Sequence, residues 1–322
     1  SVLIFVENWD GKFKKLSFEL VSYGAKLAEM LATEAVALTI GNVENVELSK
    51  LGKYGAARII NAVNDDIQFF DSRNFTSIIA DFVHQEKAQV VVLSNNNTGK
   101  SIAPRLSVKL KAGLGSGVSK LPLETNPFVV YKKVYSGNAY AHVVINSAVK
   151  ILTLAQNSFE LIEDDKNAAI SQVPVAWDGA GLKIKVNEVQ RSGNKILLTD
   201  ADVVVSGGRG MKSPGNWGPI EELAGLLGAA TACSRPVSDE GWRPHEEHTG
   251  QTGKIIAPNL YFAIGISGAT QHLAGVSSSK FIVAINTDKD APIFSAAQYG
   301  IVGDAAKVLP KLVEAVHELK GK

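Results

Sequence analysis

A chain of 322 residues, of which 45% are hydrophobic, is long enough to bury the cores of two domains. Its 33 basic and 32 acidic residues leave a formal net charge of +1, which gives no indication of a nucleic-acid partner or an anionic membrane. The single cysteine, Cys233, excludes an intramolecular disulfide and is typical of a reducing compartment.

Signals for membrane insertion or secretion are missing from the sequence. No apolar run approaches the about 18 residues that a membrane span requires, and the chain enters VLIFVE (2–7) directly instead of passing through a signal peptide. We expect a cytoplasmic protein without membrane insertion. A processed protein of the mitochondrial matrix is the alternative with the same pattern.

Residues 1–115 alternate strand-like segments with helix-like ones. Between the strand-like runs, LSFELVSYGAKLAEML (16–31) and FTSIIADFVHQEK (75–87) repeat apolar residues every three to four positions. This βαβ rhythm predicts a parallel sheet covered by helices. The predicted strands are short, apolar and β-branched: VLIFVE (2–7), AVALTIG (35–41), RIINAV (58–63) and AQVVVLSN (88–95).

From about residue 116 to residue 200 the pattern changes to alternating polar and apolar residues. Three segments show it: FVVYKKVYSGNAYAHVVI (128–145), AVKILTLA (148–155) and GLKIKVNEVQ (181–190). The turn signal SGN occurs twice in this region, which predicts antiparallel hairpins. We therefore expect a first α/β domain over 1–195 with a hairpin extension.

The α/β rhythm returns in 196–322, which predicts a second domain. ADVVVSGG (201–208), LYFAIGIS (260–267) and KFIVAINTD (280–288) are the predicted strands, and PIEELAGLLGAA (219–230) is a predicted helix. A last amphipathic helix begins near Asp304, a good N-cap. Its apolar stripe runs from Val308 to Leu319, and Pro310 suits a first turn if the helix restarts there.

Three strands of the second domain end in small or polar residues. Ligands of open parallel sheets bind outside the carboxyl ends of the strands, so Ser206–Gly210, Gly265–His272 and Asn286–Asp288 are expected to line one crevice. The bend of Gly265, Ser267 and Gly268 lets backbone N–H groups approach an anion such as a pyrophosphate. A tight turn without a ligand is the alternative explanation.

Further candidates lie in polar loops. Thr252 in HTGQTGK (248–254) offers a hydroxyl beside flanking glycines, although a solvated turn explains the same residues. Arg209 and Arg235 carry fixed charges that suit phosphates or a delocalised anion, but surface arginines are also common.

Several motifs do not meet the requirements of the chemistry they suggest. TGKS (98–101) lacks the first glycine of a P-loop because Ser94 stands in its place, and GSGVSK (115–120) lacks the third glycine of a dinucleotide fingerprint. HEEH (245–248) has flanks typical of a loop, so no metal site is expected there. Cys233 precedes Ser234 and Arg235, where an activated thiolate is conceivable, but it is interpreted as a buried or incidental cysteine.

Five blocks of the second domain carry a resemblance to a known family: VVVSGGRGMKS (203–213), ACSRPVSDEGW (232–242), GQTGKIIAPNLYFAIGISGATQHLAG (250–275), FIVAINTDKDAPIF (281–294) and YGIVGDAAKVLP (299–310). In this order they resemble the alpha subunit of electron transfer flavoproteins, and LYFAIGISGATQHLAG is a specific signature of that family. The stretch APRLSVKLKAGL (103–114) adds a looser likeness in the first domain.

The resemblance implies an α/β fold with a parallel-sheet, nucleotide-hydrolase-like N-terminal domain that packs on a beta subunit, and a doubly wound C-terminal domain that binds FAD. It implies a heterodimer whose beta subunit holds AMP in many members. It also implies an electron carrier that accepts electrons from primary dehydrogenases, notably acyl-CoA dehydrogenases of fatty acid beta-oxidation, and passes them to a quinone oxidoreductase or another acceptor. No substrate is transformed.

The resemblance also implies roles for individual residues. Ser267, its backbone neighbours and Arg209 belong to the pyrophosphate site, and Asn286 and Asp304 to the adenosine half. Arg235 lies against the isoalloxazine, Thr252 lies near its N5, and Gln271 and His272 lie near the ring and the ribityl chain. Arg235, His272 and Thr252 tune the redox potential, and no catalytic residue is implied. The full implied cofactor-binding set is Arg209, Ser234, Arg235, Gln251, Thr252, Gly265, Ser267, Gly268, Gln271, His272, Asn286 and Asp304.

Two alternatives stay open at this level. One is an electron-bifurcating or a nitrogen-fixation-associated relative. The bifurcating relatives hold a second FAD in the beta subunit. The other is a nicotinamide-nucleotide-dependent enzyme on the same fold, which the missing third glycine of the fingerprint argues against.

Overall fold

A computed structural model describes residues 1–67, 69–137, 139–164, 166–177, 186–188 and 196–321. The chain divides into two compact units, unit 1 (Ser1–Val134 and Ala139–Val189) and unit 2 (Tyr135–Asn138 and Gln190–Lys322). The predicted boundary at 195/196 adjoins residues 189–195, which lie outside the described residues, so the domain limits stay a prediction. The second SGN turn and most of the predicted strand 181–190 also lie outside them.

Unit 1 is built on a mixed sheet of ten strands within the described residues. The strand order is β10-β3-β2-β1-β4-β9-β5-β7-β6, with β8 paired to β7. In chain order the elements are β1 (Val2–Phe5), α1 (Lys15–Met30), β2 (Ala35–Ile40), α2 (Asn45–Ser49), β3 (Arg58–Val63), α3 (Ser72–Gln85), β4 (Val90–Ser94), α4 (Asn97–Leu110), β5 (Gly113–Val118), β6 (Glu124–Thr125), β7 (Phe128–Val134), β8 (Ala139–Val144), β9 (Lys150–Leu154) and β10 (Ala169–Pro174).

The predicted parallel sheet of the first 115 residues is confirmed. Strand β1 pairs in parallel with β2 and with β4, and all four of its residues are buried. Val2 and Ile4 enter the core on one face, while Leu3 and Phe5 enter the core on the other. Because both faces are covered, the strand is a continuous apolar run instead of an alternating one.

The hairpin region is confirmed in one part and wrong in another. Strands β7 and β8 form the expected antiparallel pair over six register positions from Val129 to Val134. AVKILTLA, by contrast, forms β9, which pairs in parallel with both β4 and β5. Its residues Ile151–Leu154 are all buried, so this segment is an interior strand of the parallel sheet and not a hairpin strand.

Unit 2 contains a five-stranded parallel sheet within the described residues, in the order β12-β11-β13-β14-β15. Separate hydrophobic cores cover its two faces, which confirms the doubly wound prediction. Its elements are β11 (Val203–Gly207), α5 (Gly218–Leu227), β12 (Ala230–Cys233), α6 (Arg235–Asp239), β13 (Leu260–Ile264), α7 (Thr270–Val276), β14 (Phe281–Asn286), α8 (Ile293–Ala296), β15 (Tyr299–Val302) and α9 (Ala305–Lys320).

The strand order of unit 2 determines where a ligand can enter. From β11 the chain passes outward to β12, and it then returns to the other side of β11 to form β13, β14 and β15. The topological switch point therefore lies between β11 and β13, whose following loops diverge and leave a crevice at their carboxyl ends.

The C-terminal helix differs from its prediction at two positions. Asp304 is the N-cap, and its carboxylate accepts a hydrogen bond from the Ala306 N–H at 3.0 Å, as expected. The helix does not restart at Pro310, which lies inside a continuous α9. Leu319 at the end of the predicted apolar stripe is 75% exposed, because the helix ends beyond the core that buries Leu309 and Val313. Of the helices that the structure describes, none combines the length and apolarity needed to cross a membrane.

Candidate functional site

A crevice of about 510 Å³ lies at the carboxyl ends of the unit 2 strands. Residues that follow β11, β12 and β13 form it together with Asn286, the last residue of β14, and the loop 248–252, as the switch-point rule predicts. Its lining residues are Arg209, Gly210, Ser234, Arg235, Pro236, His248, Thr249, Gly250, Gln251, Thr252, Gly265, Ile266, Ser267, Gly268, Ala269, Gln271, His272 and Asn286. Eleven of the twelve predicted cofactor-binding residues are in this set, and Asp304 is the exception.

The floor of the crevice is a contact between two glycine loops. The Gly208 N–H donates to the Ile264 carbonyl at 2.8 Å, and the Gly210 N–H donates to the Gly265 carbonyl at 3.0 Å. A Cβ atom on Gly210 would lie 2.6 Å from the Gly265 Cα, and Gly265 itself has φ +62°. Side chains are therefore sterically excluded where the chain leaves these two strands.

The bend after β13 presents backbone donors to the crevice. Within the described part of the chain, the N–H groups of Ser267, Gly268 and Ala269 donate to no protein acceptor. The bend is held from behind, since the Ile293 N–H donates to the Ser267 carbonyl at 3.0 Å. Gly268 has φ +82°, and a Cβ atom there would lie 2.4 Å from the Ile293 nitrogen. These donors form a preorganised site for an anion.

The charges that line the crevice are positive. Arg209 is exposed and makes no ion pair with any described residue. Arg235 pairs with Asp239 at 3.3 Å, but both side chains are more than half exposed, so the pair leaves most of the arginine's charge available. None of the described lining residues carries a carboxylate. The crevice thus favours an anionic ligand.

The loop 248–254 closes one side of the crevice and is fixed at both ends. At one end its His248 forms an isolated parallel β-bridge with Cys233, the last residue of β12. Further along, the Gln251 N–H donates to the Gln271 carbonyl at 2.7 Å. Gly275 of α7 packs directly on this loop, because a Cβ atom there would lie 2.4 Å from the Gly250 Cα. The exposed side chains of Gln251 and Thr252 therefore stand on a rigid support.

Among the titratable residues of the lining, only His248 is more deeply buried than His272. His272 is 7% exposed, and its Nε2 lies 2.9 Å from the Tyr261 hydroxyl. Burial lowers the pKa of His272 to about 4, against a smaller raising effect of the Thr249 backbone. Its ring is consequently neutral at neutral pH.

His248 lines the crevice although the sequence suggested no role for it. It is 3% exposed, and burial lowers its pKa, with a further lowering by His245, whose ring centroid lies 5.4 Å away. The only sequence signal was its position at the start of HTGQTGK. No group of His, Cys, Asp and Glu residues in the described ranges is arranged to hold a metal ion. Glu247 of the HEEH segment instead pairs with Arg243 at 2.8 Å.

Asp304 and six residues of the expected crevice lining lie outside the crevice. Asp304 caps α9 and pairs with Lys212 at 2.8 Å, and this ammonium lowers the pKa of Asp304. Ser206 is fully buried within β11, and the lining also lacks Gly207, Gly208, Thr270, Thr287 and Asp288, so those parts of the crevice prediction were wrong. Asn286 does line it, and its amide is fixed by donating to the Ile266 carbonyl at 2.9 Å.

Cys233 is buried, as interpreted from the sequence. It is fully inaccessible at the end of β12, and burial raises its pKa to about 12, with the Glu247 carboxylate acting in the same direction. A thiol in this state is protonated at neutral pH and has no nucleophilic function.

Comparison with known proteins agrees with the site. Residues 2–177 match the model of the electron transfer flavoprotein domain, and residues 197–277 match that of the electron transfer flavoprotein FAD-binding domain. Most of the crevice lies in the second match.

Relatives are similar over nearly the full chain. The electron transfer flavoprotein subunit alpha of Syntrophomonas wolfei is 37% identical over 311 residues, covering 96% of this chain and 97% of the relative. That of Bacillus subtilis is 33% identical and covers 99% and 98%. Protein FixB of Clostridium saccharobutylicum is also 33% identical and covers 99% and 96%. The chain belongs to the electron transfer flavoprotein alpha-subunit family.

Proposed function

We propose that this chain carries electrons on an FAD held in the unit 2 crevice, as the alpha subunit of a heterodimer. Electrons enter from primary dehydrogenases, such as acyl-CoA dehydrogenases, and leave to a quinone oxidoreductase or another acceptor. The observation that carries the proposal is the coincidence of the family's FAD-binding domain with a positively charged, carboxylate-free crevice at the switch point. Family membership implies the beta-subunit partner, and AMP in that subunit stays a prediction.

The residues present fit the phosphates of FAD. The three free N–H groups of Ser267, Gly268 and Ala269 are suited to a pyrophosphate, and Arg209 has a guanidinium that no described residue engages. We assign these groups to the pyrophosphate and Asn286 to the adenosine half. We keep the predicted role of Asp304 at the adenosine half. In that role its carboxylate must contact the ligand while it also pairs with Lys212 and caps α9.

The remaining residues of the crevice lining suit an isoalloxazine. When bound, FAD supplies a redox group that can accept two electrons and release them singly. Arg235 provides the fixed positive charge there, and Ser234, Thr252 and Gln271 provide hydrogen bonds. His272 is neutral, so it acts as a hydrogen-bonding group and not as a second cation. A cation and an N–H donor near the flavin both favour its reduced forms.

The lining offers no chemistry for transforming a substrate. Its titratable groups are two arginines and two histidines with lowered pKa values, and Cys233 is inaccessible. This supports an electron carrier over an enzyme. The FAD-binding match also argues against a nicotinamide-dependent enzyme.

A second candidate function is an electron-transfer role of the FixB type, associated with nitrogen fixation or with electron bifurcation. The observation in its favour is the sequence identity to Protein FixB, which at 33% is the same as the identity to the Bacillus subtilis alpha subunit. The two candidates differ in the beta subunit, where a bifurcating complex holds a second FAD. We place either complex in the cytoplasm, which the single cysteine favours.

The test is co-expression with the beta subunit and measurement of the purified complex. We expect flavin absorbance bands, one FAD released per heterodimer, and bleaching of those bands when an acyl-CoA dehydrogenase and its substrate are added without oxygen. Two FAD per heterodimer would select the bifurcating candidate. A colourless complex that takes up no added FAD, with or without binding of NAD(H), would overturn the proposal.

A further inference from the structure

His248 presents one of its two ring nitrogens to the crevice. The residue lines the crevice although it is only 3% exposed. Its Nδ1 is fully buried and has no hydrogen-bond partner among the described residues. Nε2 also lacks a partner in the described ranges, but it is not fully buried, so the exposed part of the side chain includes this atom. The imidazole therefore has one unpartnered polar atom that a ligand can reach.

The surroundings of the two nitrogens differ. A Cβ atom built on Gly250 would lie 3.6 Å from the His248 Nε2 and 3.2 Å from the Gln271 carbonyl oxygen. Gly250 and Gln271 both line the crevice. Nδ1 instead faces Gly253, which is not part of the lining, because a Cβ atom there would lie 2.8 Å from Nδ1. Nε2 is thus the nitrogen on the ligand side of the ring.

The contact with Gly253 determines which nitrogen carries the proton. A Cβ atom would take the place of one Cα hydrogen of the glycine, so a Gly253 Cα–H group points toward the His248 Nδ1. A Cα–H group is a weak donor that suits a lone pair, and it would repel an N–H group. The lone pair therefore lies on Nδ1 and the proton on Nε2.

The His248 ring is uncharged at neutral pH and lies close to Arg235. Burial lowers the pKa of His248, and His245 and Arg235 act in the same direction, against a raising effect of Asp239. The β-bridge from His248 ends on Cys233, and Arg235 follows two residues later. The N–H group of His248 thus lies in the part of the lining that we assign to the isoalloxazine.

We propose that His248 is a further cofactor-binding residue of the crevice: its Nε2–H group donates a hydrogen bond to a carbonyl oxygen or ring nitrogen of the isoalloxazine, beside the charge of Arg235. The inference rests on the proposed function, which supplies FAD as the ligand. A ligand without an acceptor at this position would leave a buried N–H group unpaired, so His248 also selects for an acceptor.

The first experiment is nitrogen-15 NMR of the histidine-labelled heterodimer at pH 7.5, before and after FAD is added to the FAD-free protein. His248→Gln assigns the signals. We expect a neutral ring with its proton on Nε2 in both samples, and a change in the Nε2 signal when FAD binds, because the N–H group gains an acceptor. An Nδ1–H tautomer, or an Nε2 signal that FAD does not change, would overturn the inference without any variant having to fold.

The second experiment is calorimetric titration of the FAD-free heterodimer with FAD. His248→Leu should weaken binding by threefold to tenfold, whereas His248→Gln should stay within about twofold of the wild type, because its carboxamide N–H can donate in place of the imidazole. His245→Leu is the matched control, since this exposed ring lies 5.4 Å from the His248 ring and outside the lining. Equal losses in the two His248 variants, or the same loss in His245→Leu, would contradict the hydrogen bond.

A redox titration of the FAD-loaded variants tests the placement at the isoalloxazine. An N–H donor there favours reduced flavin. His248→Leu should therefore lower the ratio of reduced to oxidised flavin at a fixed potential by threefold to tenfold, where tenfold corresponds to about 59 mV for one electron. His248→Gln should keep the wild-type ratio. An unchanged ratio in His248→Leu would refute this placement.

Failure of the proposed function is distinguishable from failure of the inference. A wild-type heterodimer that binds no FAD would refute the proposed function and, with it, the contact of His248. A heterodimer that binds FAD with the same affinity and potential in His248→Leu as in the wild type would refute only the role of His248.

Discussion

The Gly210 N–H donates to the Gly265 carbonyl at 3.0 Å, so the loops after β11 and β13 lie backbone against backbone at the switch point. This contact brings the guanidinium-bearing loop of Arg209 beside the bend whose N–H groups are free. The anion site therefore depends on the absence of side chains between two loops that are more than 50 residues apart in the sequence.

Substitution of Gly265 by alanine should destabilise unit 2 and abolish FAD binding. The left-handed φ of +62° costs about 1–2 kcal/mol for a residue with a Cβ atom, and that atom would lie 2.8 Å from the Gly210 Cα. Denaturant unfolding and FAD titration measure the two effects. Gly225→Ala is the control: nothing lies within 4 Å of its added Cβ in α5, and we expect a gain of about 0.5–1 kcal/mol. Wild-type FAD affinity in Gly265→Ala would refute the role of the bend.

Arg209→Ala should weaken FAD binding by about tenfold, or about 1.4 kcal/mol, because a charge-assisted contact with the phosphates is lost. The salt dependence of the affinity should also become shallower. Calorimetric titration with FAD at two salt concentrations checks both. Lys280→Ala removes the same charge from the amino end of β14, away from the crevice lining, and should change neither. Equal losses in the two variants would indicate a general charge effect only.

Arg235→Ala should retain FAD but lower its reduction potential by about 59 mV or more, a tenfold change in a one-electron equilibrium. The cause is the loss of the fixed cation that favours reduced flavin. Asp239→Asn is the opposing variant: it removes the carboxylate 3.3 Å from Arg235 and should leave the potential unchanged or raise it slightly. Spectroelectrochemical titration distinguishes the signs. An unchanged potential in Arg235→Ala removes this residue from the flavin end.

Stability should fall in acid because of His272. Its pKa is about 4 in the folded chain and 6.5 ordinarily, so the unfolded chain binds the proton more readily. The contribution of neutral His272 to the free energy of unfolding is complete above about pH 6.5. It decreases as the pH falls and is lost as the pH passes through 4, a total loss of about 3 kcal/mol. His248 has the same sign. Unfolding of the wild type and of His272→Gln at pH 7.5, 6.0 and 5.0 measures the His272 share. Parallel pH profiles would contradict it.

Much of the fold followed from local patterns. The continuous apolar runs of β1–β4 and β11, β13 and β14 indicated parallel strands covered on both faces, and the structure has them. AVKILTLA was misassigned because the polar residues Lys150 and Thr153 give this short segment the alternating appearance of a hairpin strand, although it is an interior parallel strand. Pairing partners, which decide between the two, lie elsewhere in the chain.

The candidate site was predictable where backbone geometry requires a residue type. Gly265 and Gly268 have left-handed φ values, and the bend they form was recognisable from its letters alone. His248 was missed because its burial and its place in the lining depend on the bridge to Cys233. Asp304 was placed with the ligand by resemblance, whereas its contacts within this chain are to Lys212 and to α9.

By itself the sequence determined the class of fold, the family and the residues that leave room at the strand ends, because burial periodicity and glycine geometry are local properties. The tertiary structure decided the charge and protonation of the site. The crevice is positive because its lining excludes every carboxylate of unit 2 that the structure describes, and His272 is neutral because β13 buries it against Tyr261. Both depend on distances through space between residues of different strands, loops and helices, and such distances exist only after the sheet has formed.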